Sequence, residues 1–181
     1  MNKSKIRNKI LKIRKKNFNK NLKINLDKFI NFLRIYKKNA NKVGGYYPSN
    51  YEIDDLEILN LLDKQNFKIS LPVIENNNLM NFHKWSNKDP LKINKFGIPE
   101  PFLSKIFYPD ILLVPMVGYD KNLNRLGYGG GFYDRYIEKI EKRKKVIKIG
   151  LAFSYQKINS VPVNKYDKKL DFIITEKGIT K

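Results

Sequence analysis

The sequence predicts an α/β protein: a single compact domain with a mostly parallel sheet flanked by helices on both faces. Three observations lead there. Apolar segments of strand length recur along the chain, and Asp110 to Val117 (DILLVPMV) is continuously apolar, as in strands covered on both sides. Segments with helical spacing alternate with them, the pattern of parallel strands joined by crossover helices. The chain has 181 residues, 41% of them hydrophobic, which supports one proper core and is too short for two large ones.

From the N-terminus, Lys3 to Lys16 (KSKIRNKILKIRKK) places Ile6, Ile10 and Ile13 on one helical face with Lys3, Arg7 and Arg14 beside it. Such a basic amphipathic helix can dock on the core, lie on a membrane surface, or turn an arginine into a phosphate site. A second helix is predicted over Leu26 to Lys38, and a short strand over Val43 to Tyr47 before the Pro48-Ser49-Asn50 turn. Glu52 to Asn66 reads as a helix, with Ile53, Leu56, Leu59 and Leu62 recurring every three residues and Glu52 and Asp54 in its first turn. Lys68 to Val73 and Leu79 to His83 are strand candidates joined by a turn at Asn76-Asn77-Asn78. Trp85 to Pro109 has little periodicity and four of the eight prolines, as in an ordered loop against a site. Strand Asp110 to Val117, helix Phe132 to Glu141, strand Lys145 to Phe153 and a short strand Phe172 to Thr175 complete the order. In such a sheet the ligand belongs at the carboxyl ends of the strands.

The run Arg125-Leu126-Gly127-Tyr128-Gly129-Gly130-Gly131-Phe132-Tyr133-Asp134-Arg135 is expected where a strand passes into a helix. Glycines let backbone N–H groups approach an oxyanion, the free N–H groups of the next helix favour negative charge, and Arg125 and Arg135 add charge-assisted hydrogen bonds. Two familiar phosphate patterns fail. A P-loop needs Lys then Ser or Thr after its last glycine, and GxGxxG counted from Gly127 needs glycine at 132, which is Phe. A tight turn with a glycine cap is the plainer alternative.

The net charge of +20 raises nucleic-acid binding first, but the lysines are spread along the whole chain beside Asn and Ile. A dispersed charge of this kind is a solvated surface, so no dedicated nucleic-acid partner is expected. Without cysteine there are no disulfides or thiolate metal sites, and a single histidine argues against zinc. No run is long and apolar enough to cross a bilayer and no secretory signal is visible, so a cytoplasmic protein without a membrane partner is expected.

These residues resemble the 5-formyltetrahydrofolate cyclo-ligase (5,10-methenyltetrahydrofolate synthetase) family. Its signature, an apolar strand ending in Pro, an Asp, then Arg-Leu-Gly-Tyr-Gly-Gly-Gly-aromatic-Tyr-Asp-Arg, looks like Leu112 to Arg135, including Pro115 and Asp120. Further matches follow in order: Lys3-x-x-Ile6-Arg7, Glu52-Ile53-Asp54, Leu71-Pro72-Val73, Phe96 to Pro101, Gly150 to Phe153 with Gln156, and Val161-Pro162-Val163 before Asp167. They cover nearly the whole chain, with Phe132 standing where tyrosine is common.

The resemblance implies a NagB/RpiA/CoA-transferase-like fold over residues 1–181, a monomer, and an ATP- and magnesium-dependent closure of 5-formyltetrahydrofolate to 5,10-methenyltetrahydrofolate with release of ADP and phosphate. Phosphorylation of the formyl oxygen would turn it into a leaving group for attack by the second folate nitrogen. Such chemistry needs positioning and charge neutralisation more than a protein nucleophile. By resemblance, the nucleotide site is Lys3, Arg7, Arg125, Leu126, Gly127, Tyr128, Gly129, Gly130, Gly131, Phe132 and Tyr133, with Arg125 acting on the reacting phosphate. Asp134 and Asp167 match magnesium ligands, and Glu52 matches the residue that holds the folate. Tyr47, Tyr128 and Tyr133 could line the pterin. Read without the resemblance, Asp134 and Glu52 are first-turn helix acids, Asp167 is a turn residue, and the tyrosines are ordinary packing. Trp85, Phe96 and Glu100 are taken as structural, and His83 as satisfied or solvent-facing. Two other readings stay open: a nucleotide-binding protein of the same fold with another substrate, and a basic RNA-binding module. Gly130→Val separates the last, because only a phosphate-binding loop should lose ATP turnover when that space is filled.

Overall fold

An eight-stranded sheet organises the chain in the computed structural model, which describes residues 2–19, 21–36, 40–75 and 79–181. Its strands in chain order are β1 (Lys42–Gly44), β2 (Lys68–Ile74), β3 (Met80–Lys84), β6 (Ile106–Phe107), β7 (Ile111–Pro115), β10 (Ile147–Leu151), β11 (Phe172–Thr175) and β12 (Gly178–Thr180). Two small hairpins, β4 (Leu91–Ile93) with β5 (Pro99–Pro101) and β8 (Gly118–Tyr119) with β9 (Arg125–Leu126), stand outside it. The spatial order is β12-β11-β10-β7-β1-β2-β3-β6. The five strands from β11 to β2 are mutually parallel, and antiparallel strands finish both edges.

Helices cover both faces, as the alternating pattern predicts. Along β7, Ile111 and Leu113 join the cluster beneath α2 (Leu26–Arg34) and α3 (Leu56–Lys64), whereas Leu112 and Val114 join the cluster beneath α4 (Phe132–Glu141). The period of two sends alternate side chains to opposite layers, so a strand at the centre must be apolar throughout. β1 lies between β2, reached through α3, and β7, which leads through α4 to β10. The chain therefore winds outward in both directions from the β1/β7 junction, where crevices open beyond the carboxyl ends of such strands.

Several boundaries differ from the sequence expectation for local reasons. α3 begins at Leu56, not Glu52, because Asn50 and Tyr51 take positive φ (48° and 63°) and the Asp54 carboxylate accepts the Leu56 N–H at 3.0 Å, a side-chain bond that competes with a helical start. Glu52 and Asp54 are thus not first-turn helix acids. The strand expected over Val43 to Tyr47 stops at Gly44, and that over Asp110 to Val117 stops at Pro115. The glycine run does not leave that long strand directly; the β8–β9 hairpin intervenes. The loop from 85 to 109 carries β4, β5 and β6, and β12 was not anticipated. α2 ends at Arg34, and the Asn76-Asn77-Asn78 turn lies outside the described residues, as do 37 and 38.

The β8–β9 hairpin is set by Asp120. This buried carboxylate accepts the N–H groups of Asn122 (2.9 Å), Asn124 (3.1 Å) and Val161 (2.9 Å) and the Asn124 amide (3.0 Å). Burial pushes its pKa up, but these bonds outweigh it and hold the carboxyl below the usual range. The stabilisation is fully present above the ordinary aspartate pKa of about 3.9 and is lost as pH falls through the lower folded value. Asp120→Ala should cost about 3 kcal/mol, since several buried donors lose their acceptor, measured by urea unfolding at neutral pH. A loss below about 0.5 kcal/mol would refute this role.

Candidate active site

A cavity of about 910 Å³ opens at the carboxyl ends of β1, β2 and β7. Its apolar wall includes Pro72, Ile74, Met80, Ile98 and Pro115, and its polar side gathers Lys3, Arg7, Glu52, Arg125, Asp134 and Asp167 with the whole glycine run. Residues from both ends of the sequence converge here.

The glycine run is shaped by backbone conformation. Gly129 and Gly131 have φ of 106° and 67°, values that side-chain-bearing residues rarely adopt, and Gly131 is the left-handed N-cap of α4. No side chain caps this helix, so the N–H groups of its first turn remain available to an anion. α1 (Lys3–Asn17) lies across the loop: the Arg7 Nε–H donates to Gly127 O at 2.8 Å, and Lys3 Nζ meets Asp167 Oδ2 at 2.6 Å. Ile6 and Ile10 of α1 pack on Val117, Leu126 and Val161, so Leu126 supports the site from below with its side chain buried under the helix.

Arg125 is buried in a bidentate setting. One Nη donates to the Lys168 carbonyl and the other to Asp134 Oδ1 at 2.6 Å, which also accepts the Lys168 N–H at 2.9 Å. Asp134 and Asp167 both line the cavity. Each is partnered by a cation, Arg125 or Lys3, so positive charge already neutralises both carboxylates. Among the described residues no group of three or more His, Cys, Asp or Glu forms a preformed metal cage. Two carboxylates beside an uncapped helix N-terminus fit the needs of Mg²⁺, which takes one or two protein oxygens and completes its shell with phosphate and water.

Glu52 lines the same cavity, after the turn that follows β1. Its Oε1 accepts the Tyr128 hydroxyl at 2.7 Å, and its Oε2 accepts the Ser49 N–H at 2.8 Å and the Ser49 hydroxyl at 3.2 Å. Burial raises its pKa, opposed by these bonds and by the Arg14 charge. Tyr47, Tyr128 and Tyr133 line the same cavity, so all three expected tyrosines are brought together with Glu52. The Tyr133 hydroxyl is buried without a partner, and its pKa lies well above the ordinary value because of burial. Tyr46, which sequence reading missed, also lines the cavity and donates its hydroxyl to Ile53 O at 2.9 Å.

Three residues taken as structural separate here. Trp85 is core, and Glu100 is buried and accepts the Ile74 N–H at 3.1 Å. Phe96 is different: it is 52% exposed at the tip of the β4–β5 hairpin, lines the cavity, and meets Phe132 edge-on at 5.9 Å. An aromatic residue directly before a glycine in a proline-rich loop is the sequence signal that could have marked it. His83 is buried; its Nδ1 accepts the Ser104 N–H at 3.0 Å. Arg14 was grouped with Lys3 and Arg7, but it does not line the cavity and is 1% exposed.

Comparison with known proteins gives the family of the chain. The chain is 34% identical over 143 residues to the 5-formyltetrahydrofolate cyclo-ligase of Haemophilus influenzae, covering 75% of this chain and 76% of that protein. Among solved structures, the 5,10-methenyltetrahydrofolate synthetase of Aquifex aeolicus superposes with a TM-score of 0.79 at 31% identity, over 100% of this chain and 93% of that one. The synthetase of Mycoplasma pneumoniae shares the fold at a TM-score of 0.72 and 24% identity, over 97% and 99% of the two chains. No described helix is long and apolar enough to cross a membrane. The family model for 5-formyltetrahydrofolate cyclo-ligases matches residues 1–176, and the chain belongs to that family.

Proposed function

We propose that residues 1–181 form one catalytic domain that closes 5-formyltetrahydrofolate to 5,10-methenyltetrahydrofolate at the expense of ATP. The observation that carries this reading is a single cavity lined both by an uncapped, glycine-led helix N-terminus and by a buried carboxylate among tyrosines. The helix N-terminus suits a polyphosphate, and the carboxylate suits a flat heterocycle whose amino and ring N–H groups donate.

Lys3, Arg7, Arg125 and the backbone of Gly127 to Tyr133 would hold the phosphates. Asp134 and Asp167 would hold Mg²⁺, which when bound neutralises phosphate charge and orients the transferring group. Glu52 would pair with the pterin's donor edge, with Tyr47, Tyr128 and Tyr133 around the ring. With both ligands fixed, the formyl oxygen attacks the γ-phosphorus and ADP departs. The neighbouring folate nitrogen then attacks the activated carbon, and as the C–O bond breaks the proton of that nitrogen leaves with the released phosphate. The protein supplies placement and electrostatic stabilisation, for which buried arginine and fixed N–H groups are suited.

The test is the ultraviolet spectrum of the purified protein with 5-formyltetrahydrofolate, Mg²⁺ and ATP, against a control lacking ATP. Growth of the methenyl product's long-wavelength band only with ATP is the expected result. A flat trace with ATP still bound would move the assignment to another substrate, and a flat trace without ATP binding would remove the nucleotide site. Glu52→Gln places a donor where an acceptor is needed and should raise the KM for the folate about 10- to 100-fold while leaving that for ATP within about twofold. Equal changes in both would contradict the division of the cavity.

A further inference from the structure

Arg14 is the most deeply buried basic side chain among the described residues and has no part in the site as drawn so far. It sits in the last turn of α1, 1% exposed, with Nη1 donating to Met116 O at 3.1 Å and Nη2 donating to the Tyr128 hydroxyl. Neither partner is a carboxylate, and its Nε is buried without a partner. A buried guanidinium in that condition is costly unless a counter-charge lies near.

The counter-charge is one hydroxyl away. Tyr128 accepts from Arg14 and donates to Glu52 Oε1 at 2.7 Å. The sense of this relay follows from the groups themselves. Arginine can only donate, so the phenol oxygen must accept from it, and its single proton is left for the carboxylate. Ser49 holds the other carboxylate oxygen. Glu52 is therefore fixed at both oxygens, with its charge matched by a cation from another element, 38 positions earlier in the chain.

We propose that Arg14, acting through the Tyr128 hydroxyl, is a positioning residue that keeps Glu52 ionised and oriented toward the folate ring. This rests on the reading of Glu52 as the folate-holding residue. The relay also commits the Tyr128 hydroxyl to Glu52, so Tyr128 serves the phosphate loop through its backbone and the folate side through its side chain. The groups facing Glu52 are Arg14 from α1, Tyr128 from the glycine loop, Tyr133 from α4, Tyr46 after β1 and Asp55 at the start of α3. The Asp55 carboxyl is itself pushed well up by burial. Arg14 is thus the only cation of this set.

The experiment measures kcat/KM for 5-formyltetrahydrofolate against pH in Arg14→Gln, Tyr128→Phe and the double variant, with KM for ATP determined in parallel. Arg14→Gln removes the charge and leaves a single, shorter amide donor; Tyr128→Phe keeps the ring and removes the hydroxyl. Each should raise the folate KM about tenfold, leave that for ATP within about twofold, and move the acidic limb of the profile to higher pH, because the carboxylate loses what favours its charged form. The double variant should be little worse than the worse single one, since both break one relay. A purely structural Arg14 would lower Tm without moving the acidic limb, and that result overturns the proposal. If Arg14→Gln does not fold, an unmoved limb in Tyr128→Phe overturns it equally. If Glu52→Gln leaves the folate KM unchanged, the underlying reading of Glu52 fails, whereas a weakened Glu52→Gln beside wild-type profiles in the relay variants removes the relay alone.

Discussion

Gly130→Val is expected to lower ATP-driven turnover about 100-fold or more. The reason is not only the space a phosphate would occupy. A Cβ at position 130 would lie 2.6 and 2.8 Å from the Cε2 and Cδ2 atoms of Phe132, and valine adds two methyl groups to that clash. Phe132 cannot simply swing away: it is the first residue of α4, meets Phe96 edge-on, and lies beneath the Arg135 guanidinium, 5.2 Å from the ring centroid. Relief must come from the loop backbone, and a displacement of about 1 Å at a reacting group costs about two orders of magnitude. Fold and stability should survive, because the loop lies at the cavity and not within the sheet. The check is single-turnover formation of the methenyl band with thermal unfolding as control, and a variant within about threefold of wild type would show that this loop does not place the phosphates.

Arg125→Lys is expected to cost about 100- to 1000-fold in kcat, the size seen when one preorganised donor to developing charge is lost. Charge is conserved and geometry is not. Arg125 spans the Lys168 carbonyl and Asp134 with separate nitrogens, while a lysine has one ammonium and can serve only one of them well. The unserved partner is half-buried, so the variant should also lose about 1–2 kcal/mol of stability. Stopped-flow turnover and urea unfolding separate the two losses. A kcat close to wild type with reduced stability would reassign Arg125 to holding Asp134 and the segment at Lys168.

Much of the architecture was legible because it depends on local pattern. α4 over Phe132–Glu141 and β11 over Phe172–Thr175 match the sequence reading residue for residue, each being a short segment with one clear period. The mismatches fall where side chains compete for the backbone. Asp54 and Asp55 spoil the apolar every-third-residue pattern of Glu52 to Asn66, Asp55 by accepting the Tyr46 N–H at 2.9 Å instead of capping its own helix. In α1 the period was right and the occupant was not: the buried row is Ile6, Ile10 and Arg14, with Ile13 only half-buried. Helical spacing sets a face, but it does not say whether a hydroxyl and a carboxylate wait opposite it.

By itself, the sequence determined the alternation of strands and helices, the phosphate-suited glycine run and the family to which both belong, since strand period, helical period and glycine's tolerance of positive φ are properties of a residue and its near neighbours. Only the tertiary structure decided that Lys3 meets Asp167 across 164 positions, that Tyr128 meets Glu52 across 76, and that Arg14 is drawn inside to complete that pair. Such contacts arise because parallel strands bring distant segments together at their carboxyl ends, where buried charges must find partners or be expelled.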